Sequence, residues 1–170
     1  MSVDAVSFRR VLGQFASGVT IVSTRDGEGR PLGLTVSAFC SVSLHPPLIL
    51  ACLGRRSEVN AGIRTSGHFG VSILAEDQEA VSRRFATSGR TRFDEPPPLV
   101  GRHGLPLVPG ALGHLECRVR SFHDEGDHTV WVGEVVALSA RPGRPLLYHH
   151  GDYRRLEGAA RGGTAGPDRV

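Results

Sequence analysis

The chain has 170 residues, 39% apolar and 22% charged, with a net charge of +3. This bounds it to one globular domain with an ordinary core, and its only long uncharged stretch, 31–54, is broken by His45, Pro46 and Pro47 and so excludes a membrane span. All 20 basic residues are arginines, gathered only in local pairs such as Arg118 with Arg120 and Arg154 with Arg155, which excludes a nucleic-acid footprint.

In chain order, Phe8, Val11, Leu12 and Phe15 fall at helical spacing, so residues 5–16 are expected to form an amphipathic helix with Asp4 or Ser7 as its cap and Gly18 at its end. Met1–Ala5 lacks the basic start, apolar run and cleavage site of a secretion signal, and the expected location is the cytoplasm. Val19–Thr24 and Leu34–Leu44 are strand-like, and Asp26–Gly27 with Gly29–Arg30–Pro31 make a hairpin their natural connection. Leu48–Leu53 reads as a short, wholly apolar, buried strand after the Pro46–Pro47 interruption.

Ser57 is a candidate cap for a helix from Glu58 to about Arg64. With Gly54, Arg55 and Arg56 just ahead of it, this helix start has the outline of an anion site. His68–Leu74 predicts another strand, and Asp77–Ala86 a short helix with Val81 and Phe85 facing the core. The Pro- and Gly-rich stretch from Thr87 to Gly110 predicts a rigid binding loop, lid or interface. Gly113–Phe122 and Thr129–Leu138 are two long alternating strands joined by residues 123–127. Leu146–His150 and Tyr153–Leu156 form a last pair around Gly151–Asp152. Without a strand–helix–strand rhythm the fold class is mainly β, an antiparallel barrel with a few short helices, over residues 1–157. Residues 158–170 are expected to be a disordered tail.

The most distinctive segment is Thr35–Ser43. Its alternation puts Thr35, Ser37, Phe39, Ser41 and Ser43 on one strand face and Val36, Ala38, Cys40 and Val42 on the other, expected to be the core side. A solvated strand face normally carries some Lys, Glu or Arg, and this one carries none. Two readings stand: neutral donors and acceptors for a flat polar ligand, or a solvated Ser/Thr strand chosen for β propensity.

Standard catalytic signatures are missing. Gly27, Gly29 and Gly33 do not fit a dinucleotide fingerprint, a P-loop lysine does not exist, and neither H-E-x-x-H nor G-x-S-x-G occurs. Cys40, Cys52 and Cys117 lie in apolar runs and read as reduced core fillers rather than metal ligands. His149 and His150, on opposite sides of a strand, cannot share a metal. His128 follows Gly126–Asp127 at a strand start, where it serves either a ligand or merely the turn.

Taken together, several motifs in order resemble the flavin reductase family, the NAD(P)H-dependent reductase components of two-component flavin monooxygenases. They are Phe15–Thr20, Gly33–Ser43 with Pro46–Pro47, Phe69–Leu74, Gly126–Asp127–His128, and Pro145–His149 with Gly151 and Tyr153. The resemblance implies an FMN-binding split barrel of antiparallel Greek-key type, usually a homodimer with flavin near the subunit interface.

It further implies that Thr35, Ser37, Ala38 and Ser41 meet the flavin ring and ribityl chain, that Cys52 belongs to the cofactor site, and that Arg56 and Ser57 hold the phosphate. Arg84 and Phe85 match a helix approaching the cofactor. His128 becomes the candidate for nicotinamide positioning, with Tyr148 and Tyr153 as helpers. The implied reaction is hydride transfer from NADH or NADPH to FMN or FAD, supplying a partner monooxygenase. A flavin-holding electron carrier, or a tailoring oxidoreductase that retains its flavin, are the alternatives. Hydride transfer needs stacking and exclusion of water more than an acid or base, which agrees with the missing signatures. Many relatives carry a tryptophan in the loop after the region matching Phe93, where this chain has Pro96–Pro98.

Overall fold

The computed structural model describes residues 3–87, 93–94 and 96–157. The expected tail at 158–170 and part of the Thr87–Gly110 loop, positions 88–92 and 95, lie outside the described residues.

The fold is mainly β. Three helices accompany twelve strands among the described residues, and every strand pairing is antiparallel. In chain order the larger strands are β2 (Thr20–Arg25), β3 (Pro31–Val36), β4 (Phe39–Ser43), β5 (Leu48–Gly54), β6 (His68–Ile73), β9 (Gly113–Glu125) and β10 (His128–Ala140). They form one sheet ordered β3-β2-β6-β9-β10-β5-β4. Its two edges, β3 and β4, are consecutive in the chain, with only Ser37 and Ala38 between them. From Val36 to Phe39 the chain spans at most about 11 Å, so the sheet curls far enough to bring these two strand ends together.

This division corrects the expectation of one continuous strand over Leu34–Leu44. The alternation is real, but β3 takes its partner in β2 and β4 takes its partner in β5, and the backbone breaks at Ser37–Ala38 to serve both. The expected core side is corrected with it. Val36 is buried, whereas Ala38, Cys40 and Val42 are exposed. Cys40 is therefore not a core filler. Cys52 is half-buried and Cys117 fully buried, and burial pushes the Cys117 thiol up to about 12.

β5 also differs from expectation. Ile49, Ala51 and Leu53 are buried but Leu48, Leu50 and Cys52 only partly, because only one face of this strand is turned to the core. Inside the curl, Val22, Leu53, Phe69, Val71, Cys117 and Trp131 pack against Val59 and Ile63 of α2 (Glu58–Ser66). Each fully buried Leu, Val or Phe of this kind contributes about 1.5–3 kcal/mol.

A second cluster joins Val19, Ile21, Leu74 and Leu146 to Phe85 of α3 (Glu79–Ala86) and to Phe93. Gly33 lets α3 come this close, since a Cβ there would stand 2.4 Å from the Phe85 ring. In β9 the buried Glu116 carboxylate accepts backbone N–H bonds from Arg102 and His103 at 2.7 and 2.8 Å, fastening the loop that carries β7 (Leu99–Val100) and β8 (Pro106–Leu107).

The first helix, α1 (Ala5–Leu12), starts where Asp4 accepts N–H bonds from Val6 and Ser7 at 3.0 and 2.9 Å. It stops at Gly13 rather than Gly18. The chain is claimed instead by β1 (Ser17–Gly18), which pairs with Leu147 and Tyr148 of β11 (Leu147–His149). None of its residues is buried, and Val11, Leu12 and the following Phe15 are 67%, 54% and 78% exposed.

Strands β9 and β10 run further than expected and leave only Gly126–Asp127 as their turn. Likewise β11 and β12 (Asp152–Arg154) turn at His150–Gly151, with φ of 53° and 83°. His149 ends β11 and His150 lies in that left-handed turn, so their rings meet edge-to-face at 4.5 Å instead of pointing to opposite sides.

Candidate functional site

The strand break at Ser37–Ala38 exposes the uncharged side chains that were singled out in the sequence. The Ala38 carbonyl accepts a hydrogen bond from the Cys52 N–H at 3.0 Å, which fastens the bridge to β5. Two hollows open beside it. One, of roughly 210 Å³, is lined by Thr35, Ser37, Ser82, Tyr148 and Tyr153 among others. The other, of roughly 590 Å³, is lined by Ser37, Ala38, Phe39, Cys40 and Tyr148 together with Leu12 and Phe15. Consecutive residues 37–40 line it where the Ser37–Ala38 bridge enters edge strand β4.

The first hollow is held by neutral hydrogen bonds. Thr35 Oγ1 donates to the Ser82 carbonyl at 2.6 Å, and Ser82 Oγ and Tyr153 Oη are 2.7 Å apart. Tyr148 and Tyr153 meet edge-to-face at 5.4 Å, and the Arg83 guanidinium lies 4.8 Å over the Tyr153 ring. Ser82 is completely buried and escaped the sequence reading. A serine between Val81 and Phe85 on the inward side of α3 was its only signal.

Along β5 the partly exposed face runs from Leu50 through Cys52 to Gly54, about 13 Å at strand rise. There Arg55, Arg56 and Ser57 lead into α2. Ser57 caps the helix, its Oγ accepting from the Asn60 N–H at 3.1 Å, so its own O–H is left to donate outward. The Ser57 N–H itself is taken by the Gly54 carbonyl. Arg56 is exposed, and the space over Gly54 is open.

The β9–β10 turn is fastened to this helix start. The Arg55 N–H donates to the Asp127 carbonyl at 2.9 Å, and an Arg55 guanidinium nitrogen lies 3.4 Å from the Gly126 carbonyl. His128 Nδ1 is 2.7 Å from Asp127 Oδ1. That bond, followed by the positive charge of His128 when protonated and that of Arg56, holds the Asp127 carboxyl below the ordinary carboxylate value. Deeper, the Asp124 carboxyl is likewise depressed, first by the Thr129 hydroxyl at 2.6 Å and then by Arg64 and Arg55.

The structure therefore brings the candidates together in two groups. Thr35, Ser37, Ala38, Tyr148 and Tyr153 surround the hollows, while Arg56, Ser57 and His128 cluster at the far end of β5, outside both linings. Cys52 lies between them, its thiol pushed up by burial and by the neighbouring Cys40.

Three candidates stand elsewhere. Ser41 is exposed on edge strand β4, Arg84 is exposed on α3, and Phe85 is 2% exposed within the core. A third hollow, roughly 390 Å³, lies between the β2–β3 turn and α2 and contains none of them. Neutral hydroxyls and aromatic edges at one end, with guanidinium and helix-cap donors at the other, form a donor set that fits a flat neutral ring bearing a phosphate.

The chain is similar to several characterised proteins. It is 45% identical over 161 residues to an NADH-dependent flavin reductase from Rhodococcus sp, covering 91% of this chain and 88% of that one. It is 41% identical over 157 residues to the reductase subunit HsaB of a flavin-dependent monooxygenase from Rhodococcus jostii (strain RHA1), covering 92% and 80%. The structure of the NADH:FAD oxidoreductase SgcE6 from Streptomyces globisporus C-1027, in complex with NAD and FAD fragments, matches with a TM-score of 0.86 at 38% identity, over 92% of this chain and 95% of that one. The flavin reductase like domain matches residues 12–157, most of the chain and both groups of candidates, and the chain belongs to that family.

Proposed function

We infer that this chain is an NADH-dependent flavin reductase that passes hydride from reduced nicotinamide to FMN or FAD and supplies reduced flavin to a monooxygenase. One observation carries the reading: a neutral, hydroxyl-lined hollow at the Ser37–Ala38 bridge and a cationic helix start at Arg56–Ser57 are joined by a single strand, with His128 at the cationic end. The chemistry that flavin supplies when bound is acceptance of a hydride at the ring. In this reading, Thr35, Ser37 and Ala38 orient the ring and ribityl chain, Cys52 borders them, and Arg56 with Ser57 holds the phosphate. Ser41, Arg84 and Phe85 contribute only through the strand and helix that carry them, or through a second subunit. His128, steered by Asp127, positions the nicotinamide, and Tyr148 with Tyr153 walls off water.

The curled seven-stranded sheet is read as the family's split barrel, with the Ser37–Ala38 bridge crossing the split. The protein is read as a cytoplasmic homodimer. Support comes from α1, whose Val6, Phe8 and Val11 stand exposed among the described residues, and from the exposed Cys40 and Val42 of β4. Among the described residues no helix is long and apolar enough to cross a membrane.

The test is oxidation of NADH and, separately, NADPH by purified protein with FMN, FAD or riboflavin added. Saturable turnover with flavin is expected. Bound flavin without turnover would turn the reading toward an electron carrier.

A further inference from the structure

Asn60 is a polar residue in the first turn of α2, flanked by the core residues Val59 and Ile63, and it is 2% exposed. Burying an amide without partners is costly, and this one has a partner for each polar atom. Its Nδ2 donates to the Arg55 carbonyl at 3.1 Å and lies 3.3 Å from Thr129 Oγ1. Its Oδ1 accepts from the Trp131 indole N–H at 2.8 Å, and its backbone N–H donates to the Ser57 hydroxyl at 3.1 Å.

The bonds run in two directions. Arg55 and Ser57 bracket Arg56 on the helix side, whereas Thr129 and Trp131 belong to β10 immediately after His128. Thr129 passes the connection on, donating to Asp124 at 2.6 Å, and Asp124 in turn holds Arg64 at 2.5 Å. The Asn60 side chain fixes the Arg55 carbonyl, immediately before Arg56, and ties it to the strand that carries His128.

We propose that Asn60 is a positioning residue for the phosphate end of the flavin site, holding Arg56 and Ser57 in one geometry relative to the β9–β10 hairpin. The proposal rests on the reading of Arg56 and Ser57 as the phosphate clamp. Asn60 touches no ligand itself. Its side chain acts by keeping the Arg55 carbonyl turned inward and tied to β10, so that the Arg56 guanidinium faces the same anion as the Ser57 O–H.

The probe is the pair FMN and riboflavin, which differ by the phosphate alone. Dissociation constants of both oxidised flavins are measured by titration calorimetry without nicotinamide, on wild type, Asn60→Ser and Thr129→Val, with circular dichroism to verify folding. Wild type is expected to bind FMN about tenfold or more tightly than riboflavin. Asn60→Ser is expected to lose most of that preference while riboflavin affinity stays within about threefold, and Thr129→Val to move the same way. Equal weakening of both flavins, an unchanged preference, or no preference in wild type overturns the proposal. Thr129→Val, which removes one hydroxyl and keeps the shape, decides the matter if Asn60→Ser does not fold. NADH oxidation by wild type is scored separately, and its absence defeats the reductase reading without touching the binding comparison.

Discussion

The carbonyl of Ala38 accepts a hydrogen bond from the backbone N–H of Cys52 at 3.0 Å, and this contact continues the β4–β5 ladder into the dipeptide that joins β3 to β4. It sets residues 37–40 against β5 and so shapes the hollow lined by Ser37, Ala38 and Tyr148. Ala38 is exposed, so Ala38→Phe is expected to leave the fold intact and to obstruct that hollow. Flavin affinity should fall by about tenfold or more for FMN and riboflavin alike, because the ring and not the phosphate is displaced. Equilibrium titration of both flavins measures this, and unchanged affinity would remove the bridge from the site.

His128→Ala is expected to slow flavin reduction by about tenfold or more while flavin affinity changes little. Stopped-flow reduction at saturating NADH separates the two effects. Asp127→Asn, which weakens the 2.7 Å hydrogen bond to His128, should give a smaller loss in the same direction. Equal loss of binding and reduction in His128→Ala would count against a nicotinamide role.

Gly33→Ala tests how closely α3 is seated. The added Cβ would stand 2.4 Å from one atom of the Phe85 ring and 2.9 Å from the Phe93 ring, with both phenylalanines buried. Overpacking of this kind costs about 1–3 kcal/mol. Urea denaturation should show a lower midpoint with an unchanged slope.

Asp124 gives a pH dependence whose sign follows from its depressed pKa. Its carboxyl, ordinarily at 3.8, is lowered first by the Thr129 hydroxyl and then by Arg64 and Arg55. The folded chain thus holds this proton less tightly than the unfolded one. The stabilisation is complete above the ordinary value and is lost as pH falls through the lower folded-state value. Thermal unfolding of wild type should therefore exceed that of Asp124→Asn near neutrality, with the gap closing as pH drops from about 4 toward 2. A gap that stays constant over that range would show that the carboxylate charge is not what matters.

Phe15→Glu tests the second copy. Phe15 is 78% exposed and lines the larger hollow beside Leu12. A carboxylate there should be harmless to an isolated subunit but should shift the protein from dimer to monomer by light scattering. A wild type that is already monomeric at micromolar concentration would end the dimer reading.

Much of this was legible locally. The Asp26 turn, the Ser57 cap and the long β9–β10 hairpin follow from residue types within a few positions of one another, and the structure has each of them. The break at Ser37–Ala38 was not legible, because the hydroxyl alternation over Thr35–Ser43 is interrupted only by Phe39. Only the competing pairings, of β3 with the strand before it and β4 with the strand after it, divide it. For the same reason the apolar side of β4 read as core although that strand is an edge. Phe85 carried two compatible meanings, cofactor neighbour and core residue, and what separates them is the proximity of Gly33 and Phe93. Asn60 gave a faint signal, an amide between Val59 and Ile63, but its partners Thr129 and Trp131 lie some seventy positions away.

The dipeptide between β3 and β4 also decides where this chain tolerates added length. Inserting one residue at Ser37–Ala38 would shift β4 by one position against β5 and exchange its inner and outer sides, turning the half-buried Phe39 outward. The β2–β3 turn at Asp26–Arg30 holds itself together through the Asp26 carboxylate, which accepts from the backbone of Glu28 and Arg30 at 2.9 Å each, and it faces solvent. Tags, linkers and fused partners therefore belong at Gly27–Gly29, and a library meant to reshape the site should vary side chains at 37 and 38 while leaving their number fixed.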